Sequence, residues 1–145
     1  MIFWDSSAIV SLLVDEPHSE GARRALRADG HMIVWWGTVV ECLSAIARNE
    51  RLGVLAAEGG DQARRELAVR RDDWDEVSPV EEVRDRAGSL LRRHELTGAD
   101  ALQLAAALTW ATGRPRTHMF MTLDNRLAAA ARGEGFELVR PDGTA

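Results

Sequence analysis

The segment that most restricts the fold is ALQLAAALTWA, Ala101 to Ala111. Its spacing predicts a helix built almost wholly of Ala and Leu, apolar on nearly every side, and such a helix must be covered on nearly every side. Interrupted by Gln103 and Thr109, it is far too short to cross a bilayer. It therefore belongs at the centre of a layered fold. Asp100 opens it, with Leu104, Ala107, Leu108 and Ala111 in register beneath. A carboxylate at the head of a buried face requires a partner or a function.

The rest of the chain supplies the layers. An apolar strand, Ile2 to Trp4, stops at Asp5-Ser6-Ser7 and gives way to helical spacing at Ile9, Val10, Leu12 and Leu13. A second helix is predicted from about Ser19 to Ala28, a strand at Met32 to Trp36, and a helix from Val39 to Arg51 with Glu41 in its first turn. Helical stretches Leu55 to Arg71 and Pro79 to Glu95 flank a short strand at Trp74 to Val77. After the Ala/Leu helix come a strand at His118 to Thr122, the turn Leu123-Asp124-Asn125, a helix at Arg126 to Arg132 and a last strand at Phe136 to Val139. Strands alternating with helices predict an α/β fold, a three-layer α/β/α sandwich around a mostly parallel sheet. At 145 residues the chain suits a single domain over residues 1–140, with Pro141 to Ala145 as a loose tail.

Missing residue types narrow the chemistry. All 18 basic residues are Arg, which excludes Schiff-base chemistry and the P-loop; both need a Lys amine. Cys42 is the only thiol, so neither an internal disulfide nor a thiolate zinc site is available, and its apolar neighbours Val39, Val40 and Leu43 read as core. His18, His31, His94 and His118 show no metal-ligand spacing. Carboxylates, hydroxyls and arginines remain. The opening MIFWDSS has Asp5 where a secretory signal needs a basic and then an apolar region, so a cytoplasmic protein is expected, with no membrane partner.

Four acids share an edge in this map. Asp5 and Asp124 each follow a strand and start a helix, at the edge where parallel sheets bind ligands. Glu41 and Asp100 stand in the first turns of helices. Each taken alone also suits a helix cap or a favourable charge at a helix N-terminus. Taken together, crowded carboxylates repel one another, and Mg²⁺ or Mn²⁺, which prefer oxygen ligands, relieve that repulsion. Such ions activate water and stabilise charge in phosphodiester hydrolysis without any Lys, Cys or His nucleophile. The acidic runs Asp72-Asp73, Asp75-Glu76 and Glu81-Glu82 read instead as solvated surface.

These residues also carry a family resemblance. IFWDSSAIV, TVVECLSA, LTGADALQLAAAL and FMTLDNRLAAAA resemble, in order and spacing, the four motifs of PIN domains. The resemblance implies a Mg²⁺- or Mn²⁺-dependent endoribonuclease, a hydrolase with Asp5, Glu41, Asp100 and Asp124 as its metal-binding and catalytic acids and Ser6 and Thr122 as hydroxyls beside them. A chain this short is most similar to VapC-type toxins of toxin-antitoxin pairs, which implies an RNA substrate, a homodimer and a small antitoxin protein that occludes the acids. Trp35-Trp36, where smaller apolar residues are more usual, and the absence of Lys depart from the pattern.

The net charge of −5 is unusual for an RNA-binding protein, but four of the negative charges belong to the acidic set and two divalent ions would cancel them. Arg48, along the helix from Glu41, and Arg126, just after Asp124, are candidate phosphate contacts, although each also suits a solvated helix surface. Two alternatives stay open: a PIN-fold nuclease of RNA processing or of DNA, and a catalytically silent binding module of the same fold. A response-regulator fold, which also gathers Asp residues at strand ends, is disfavoured because it requires a Lys.

Overall fold

The computed structural model describes residues 1–141; residues 142–145, most of the expected tail, lie outside them. Five short strands, β1 (Ile2–Trp4), β2 (Met32–Trp35), β3 (Asp75–Val77), β4 (Met119–Met121) and β5 (Glu137–Val139), form one sheet in the order β3-β2-β1-β4-β5. All four pairings are parallel. Seven helices connect them: α1 (Ser6–Leu13), α2 (Ser19–Asp29), α3 (Thr38–Arg51), α4 (Ala57–Asp73), α5 (Glu81–Arg93), α6 (Gly98–Trp110) and α7 (Asn125–Glu134). A 3-10 turn, Pro115–Thr117, precedes β4.

Side-chain alternation along the strands separates two cores. Ile2, Trp4, Met32, Val34 and Met121 face α1, α2, α3 and α4, whereas Phe3, Ile33, Trp35 and Phe120 face α5, α6 and α7. Strands covered on both faces explain the continuous apolar runs IFW, MIVW and MFM. The predicted layers are therefore present. Helix α6 touches α5, α7, β2 and β3, and Ala101, Leu104, Ala105, Ala106 and Ala107 are fully buried, as an all-round apolar helix requires.

Boundaries differ from the sequence reading by one to three residues. Trp36 lies just past β2, yet its N–H still donates to the Val77 carbonyl at 3.1 Å. Helix α6 starts three residues earlier than its apolar pattern, because Thr97 caps it by accepting from the Asp100 N–H at 3.2 Å. Gly37 lets α3 begin hard against β2, since a Cβ there would fall 2.6 Å from Trp35 Nε1. The chain moves outward from β1 to β3 and then returns to β4 on the other side of β1. The topological switch point, the usual ligand-binding crevice of such sheets, thus falls between β1 and β4.

Candidate active site

Asp5 and Asp124 follow the two strands that flank the switch point. Each caps the helix it precedes: Asp5 accepts from the Ser7 N–H at 3.2 Å, and Asp124 accepts from the Leu127 N–H at 2.8 Å. Capping and clustering are thus compatible, because a cap uses one carboxylate oxygen and leaves the other available.

Asp5 shows this most clearly. It is buried, at 2% exposure, and its two oxygens are treated differently. Oδ2 accepts from the Ser7 N–H, from Ser7 Oγ at 2.6 Å and from Thr122 Oγ1 at 2.8 Å, whereas the side-chain contact on Oδ1, from Ser6 Oγ, is long at 3.5 Å. Thr122 and Ser7 are themselves fixed: Thr122 Oγ1 accepts from the Asp124 N–H at 3.0 Å, and Ser7 Oγ accepts from the Leu123 N–H at 2.9 Å. The strap across the switch point therefore holds Oδ2 rigidly and leaves Oδ1 toward the other acids.

Glu41 is half-buried on α3, and its Oε1 accepts from the same Ser6 Oγ at 3.5 Å. Its Oε2 accepts from Gln103 Nε2 at 2.6 Å. Asp100 is half-buried at the head of α6, on the rim rather than on the covered face that its register had predicted. Asp124 is half-buried as well.

The electrostatics show that these acids sense one another. Burial pushes the Glu41 carboxyl from 4.5 up to about 7; the Gln103 hydrogen bond opposes this, and the charges of Asp5 and Asp100 add to it. Asp100 is raised by burial and then by the charges of Asp5 and Asp124. Asp5 is raised by burial, against the lowering by its Ser7 and Thr122 bonds. Three of the four carboxyls are therefore less acidic than usual, as expected for anions gathered with little water. Cys42, behind them, is buried and its thiol is raised by burial and by the same two neighbours, Asp5 and Glu41, which fits core packing.

Among the described residues, no three His, Cys, Asp or Glu side chains converge closely enough to enclose an ion by themselves. The donor set still fits a hard divalent cation. Mg²⁺ keeps several waters and commonly takes only one or two carboxylates directly, and Asp5 Oδ1 and Glu41 Oε1 are carboxylate oxygens without a strong hydrogen bond.

A cleft of about 580 Å³ opens beside Ser6, Ser7 and Glu41 and runs along α3 past Ser44 to Arg48. Arg48 is thus brought to the site. Arg126 is exposed near the start of α7 and pairs with Glu95 at 3.5 Å. Asp72, Asp73, Glu81 and Glu82 are exposed, as expected of surface acids, and Asp75 bonds His31 at 2.7 Å. Sequence reasoning missed Ser7, Thr38 and Gln103 as site residues. The available signal for Gln103 was its standing as the lone amide in an apolar helix.

The model of the PIN domain matches residues 2–133. The chain belongs to the PIN-domain family. It is 34% identical over 144 residues to Ribonuclease VapC45 of Mycobacterium tuberculosis, covering 93% of this chain and 92% of that protein. Several solved structures share the fold. VapBC2 from Rickettsia felis, bound to a DNA fragment from its promoter, matches with a TM-score of 0.68 at 11% identity, covering 97% of this chain and 98% of the other. Mycobacterium tuberculosis VapC20, a sarcin-ricin loop cleaving toxin, matches with a TM-score of 0.62 at 18% identity, covering 90% and 95%. No helix among the described residues is long and apolar enough to cross a membrane.

Proposed function

We propose that this PIN-domain chain is a Mg²⁺- or Mn²⁺-dependent endoribonuclease, the toxin of a toxin-antitoxin pair, and that Asp5, Glu41, Asp100 and Asp124 form its catalytic and metal-binding site. One observation carries the reading: a buried Asp5 whose Oδ2 is saturated by three donors while Oδ1 is left toward other carboxylates. A side chain needed only as a cap would not be sealed in beside Glu41 and Asp100. Relatives named as ribonucleases direct the reading to RNA.

A divalent ion in this site supplies Lewis acidity and a water of lowered pKa, which is what phosphodiester hydrolysis requires. Asp5 Oδ1 and Glu41 Oε1 would hold it, with Asp100 and Asp124 completing the negative field. The Thr122 and Ser7 bonds keep Asp5 oriented before substrate arrives, so no reorganisation is needed at the moment of reaction. Ser6 Oγ lies 3.5 Å from both Asp5 Oδ1 and Glu41 Oε1. Arg48 lines the cleft and would contact a substrate phosphate. Exposed apolar side chains at Trp36, Val40 and Leu43 give a second copy of the chain, or the antitoxin, a surface on which to bind.

The test compares labelled RNA and DNA of one sequence, each with Mn²⁺ or with EDTA, for wild type, Asp5→Asn and Asp100→Asn. Cleavage of RNA that needs metal and is lost in both variants, with unchanged circular dichroism, is expected. Preferential DNA cutting would favour the DNA-nuclease alternative. Full activity in both variants would remove the site assignment.

A further inference from the structure

Helix α6 buries one strongly polar side chain. Gln103 is fully buried, one turn along from Asp100, in a helix whose other buried residues are all Ala and Leu. A buried amide is costly unless both its ends are bonded, and here only one is. Nε2 donates to Glu41 Oε2 at 2.6 Å and to Thr38 Oγ1 at 3.0 Å, whereas Oε1 is buried with no hydrogen-bond partner among the described residues. With Glu41 ionised, as cation binding requires, reversing the amide would not relieve this, because Oε1 would then face a carboxylate oxygen, acceptor against acceptor.

The geometry links two helices. Thr38 and Glu41 stand three residues apart on α3, as Asp100 and Gln103 do on α6, and residues at that spacing share a helix face. Thr38 is itself fully buried. With Oε2 of Glu41 occupied by Gln103, the remaining oxygen, Oε1, is the one near Ser6 and Asp5. An otherwise flexible Glu side chain is thereby given one orientation, by a group that the hydrophobic core would do better without.

We infer that Gln103, seated on Thr38, is a positioning residue of the acidic site, holding Oε2 of Glu41 so that Oε1 is presented with Asp5 Oδ1 to a divalent cation. The inference rests on reading the acids as a metal site. It also separates positioning from folding. An amide kept for stability should cost stability when removed; an amide kept for positioning should cost cation affinity instead.

The experiment uses full-length, metal-free protein and Mn²⁺ as the probe. Gln103→Met, of similar length and without polar atoms, should melt at or above the wild-type temperature in EDTA. It should bind Mn²⁺ about tenfold more weakly by calorimetric titration, as expected for loss of a hydrogen bond behind a ligand. Half-maximal RNA cleavage should then need correspondingly more Mn²⁺, with KM for RNA unchanged. Thr38→Val, which keeps the Gln103–Glu41 contact but removes its support, should weaken Mn²⁺ binding by a smaller factor. If Gln103→Met does not fold, Thr38→Val decides by the same titration, and unchanged affinity there overturns the inference. Asp5→Asn is the control. Equal Mn²⁺ binding by wild type and Asp5→Asn would overturn the metal reading and this inference together. Loss of binding in Asp5→Asn with wild-type binding in Gln103→Met would overturn the positioning role alone.

Discussion

Replacing Glu41 by Gln should make the metal-free protein more stable at alkaline pH while destroying its activity. In the folded chain the Glu41 carboxyl titrates near 7 instead of 4.5, owing first to burial and then to the charges of Asp5 and Asp100. A carboxyl raised in the folded state is held less easily as an anion than in the unfolded chain. Its contribution to stability therefore falls as pH rises from about 4.5 to about 7, the reverse of an ordinary salt-bridged acid. Moving a carboxyl that far corresponds to about 3 kcal/mol. Glu41 is only half-buried, so solvent screening reduces the recoverable part to roughly 1–2 kcal/mol. Gln removes the charge and can still accept from Gln103 Nε2 through its amide oxygen. In EDTA at pH 8, Glu41→Gln should therefore melt roughly 3–8 °C above wild type. The gain should shrink toward zero at pH 4, where Glu41 is protonated in both states. Thermal melts at the two pH values measure this directly. A gain of equal size at both, or a loss at pH 8, would refute the claim that the folded state disfavours the Glu41 carboxylate.

Other outcomes follow from the same geometry. Mn²⁺ at a free concentration one hundred times its Kd should add about 2.7 kcal/mol of stability by mass action, seen as a higher melting temperature in wild type and a smaller rise in Asp5→Asn. Asp124→Asn, which keeps an oxygen for the Leu127 N–H, should lose RNA cleavage at nearly wild-type stability, whereas Asp124→Ala should also lose about 1 kcal/mol in urea unfolding. Arg48→Ala should raise KM for RNA, leave kcat unchanged and flatten the dependence of log affinity on log salt by about 0.7, the share of one phosphate contact on a single strand. Expression of the chain alone should arrest bacterial growth, and Glu41→Gln or co-expression of its small partner should relieve the arrest; growth unaffected by soluble wild-type protein would count against the toxin reading.

How far the sequence anticipated the site varies from residue to residue. Asp5 and Asp124 were legible because an acid that ends a buried strand and starts a helix has few places to go in a parallel sheet. The strand order was not legible, so nothing in the sequence said that those two strands are neighbours or that Thr122 would reach Asp5. Asp100 was placed on the right helix but given too much cover, because apolar periodicity marks the face and not how far the covering layers extend along it. Arg126, close to Asp124 in sequence, pairs with Glu95, a contact that nothing in the sequence indicated. Gln103 had looked like an interruption of an apolar run; only its hydrogen bonds to Thr38 and Glu41 of α3 show what it reaches.

Of the five strands, the first in chain order is the middle one of the sheet. Its neighbours are β2, about thirty residues later, and β4, which begins at Met119. Until that last stretch emerges, Asp5 lacks the Met121 carbonyl that its N–H bonds at 3.0 Å, the Thr122 hydroxyl that orients its side chain, and the Asp124 carboxylate across the crevice. A growing chain on the ribosome therefore contains most of its acids but no assembled site. On the proposed reading of the acids, RNA cleavage would have to await the closing of the sheet by β4, and a partner that binds earlier elements would have that interval in which to arrive first.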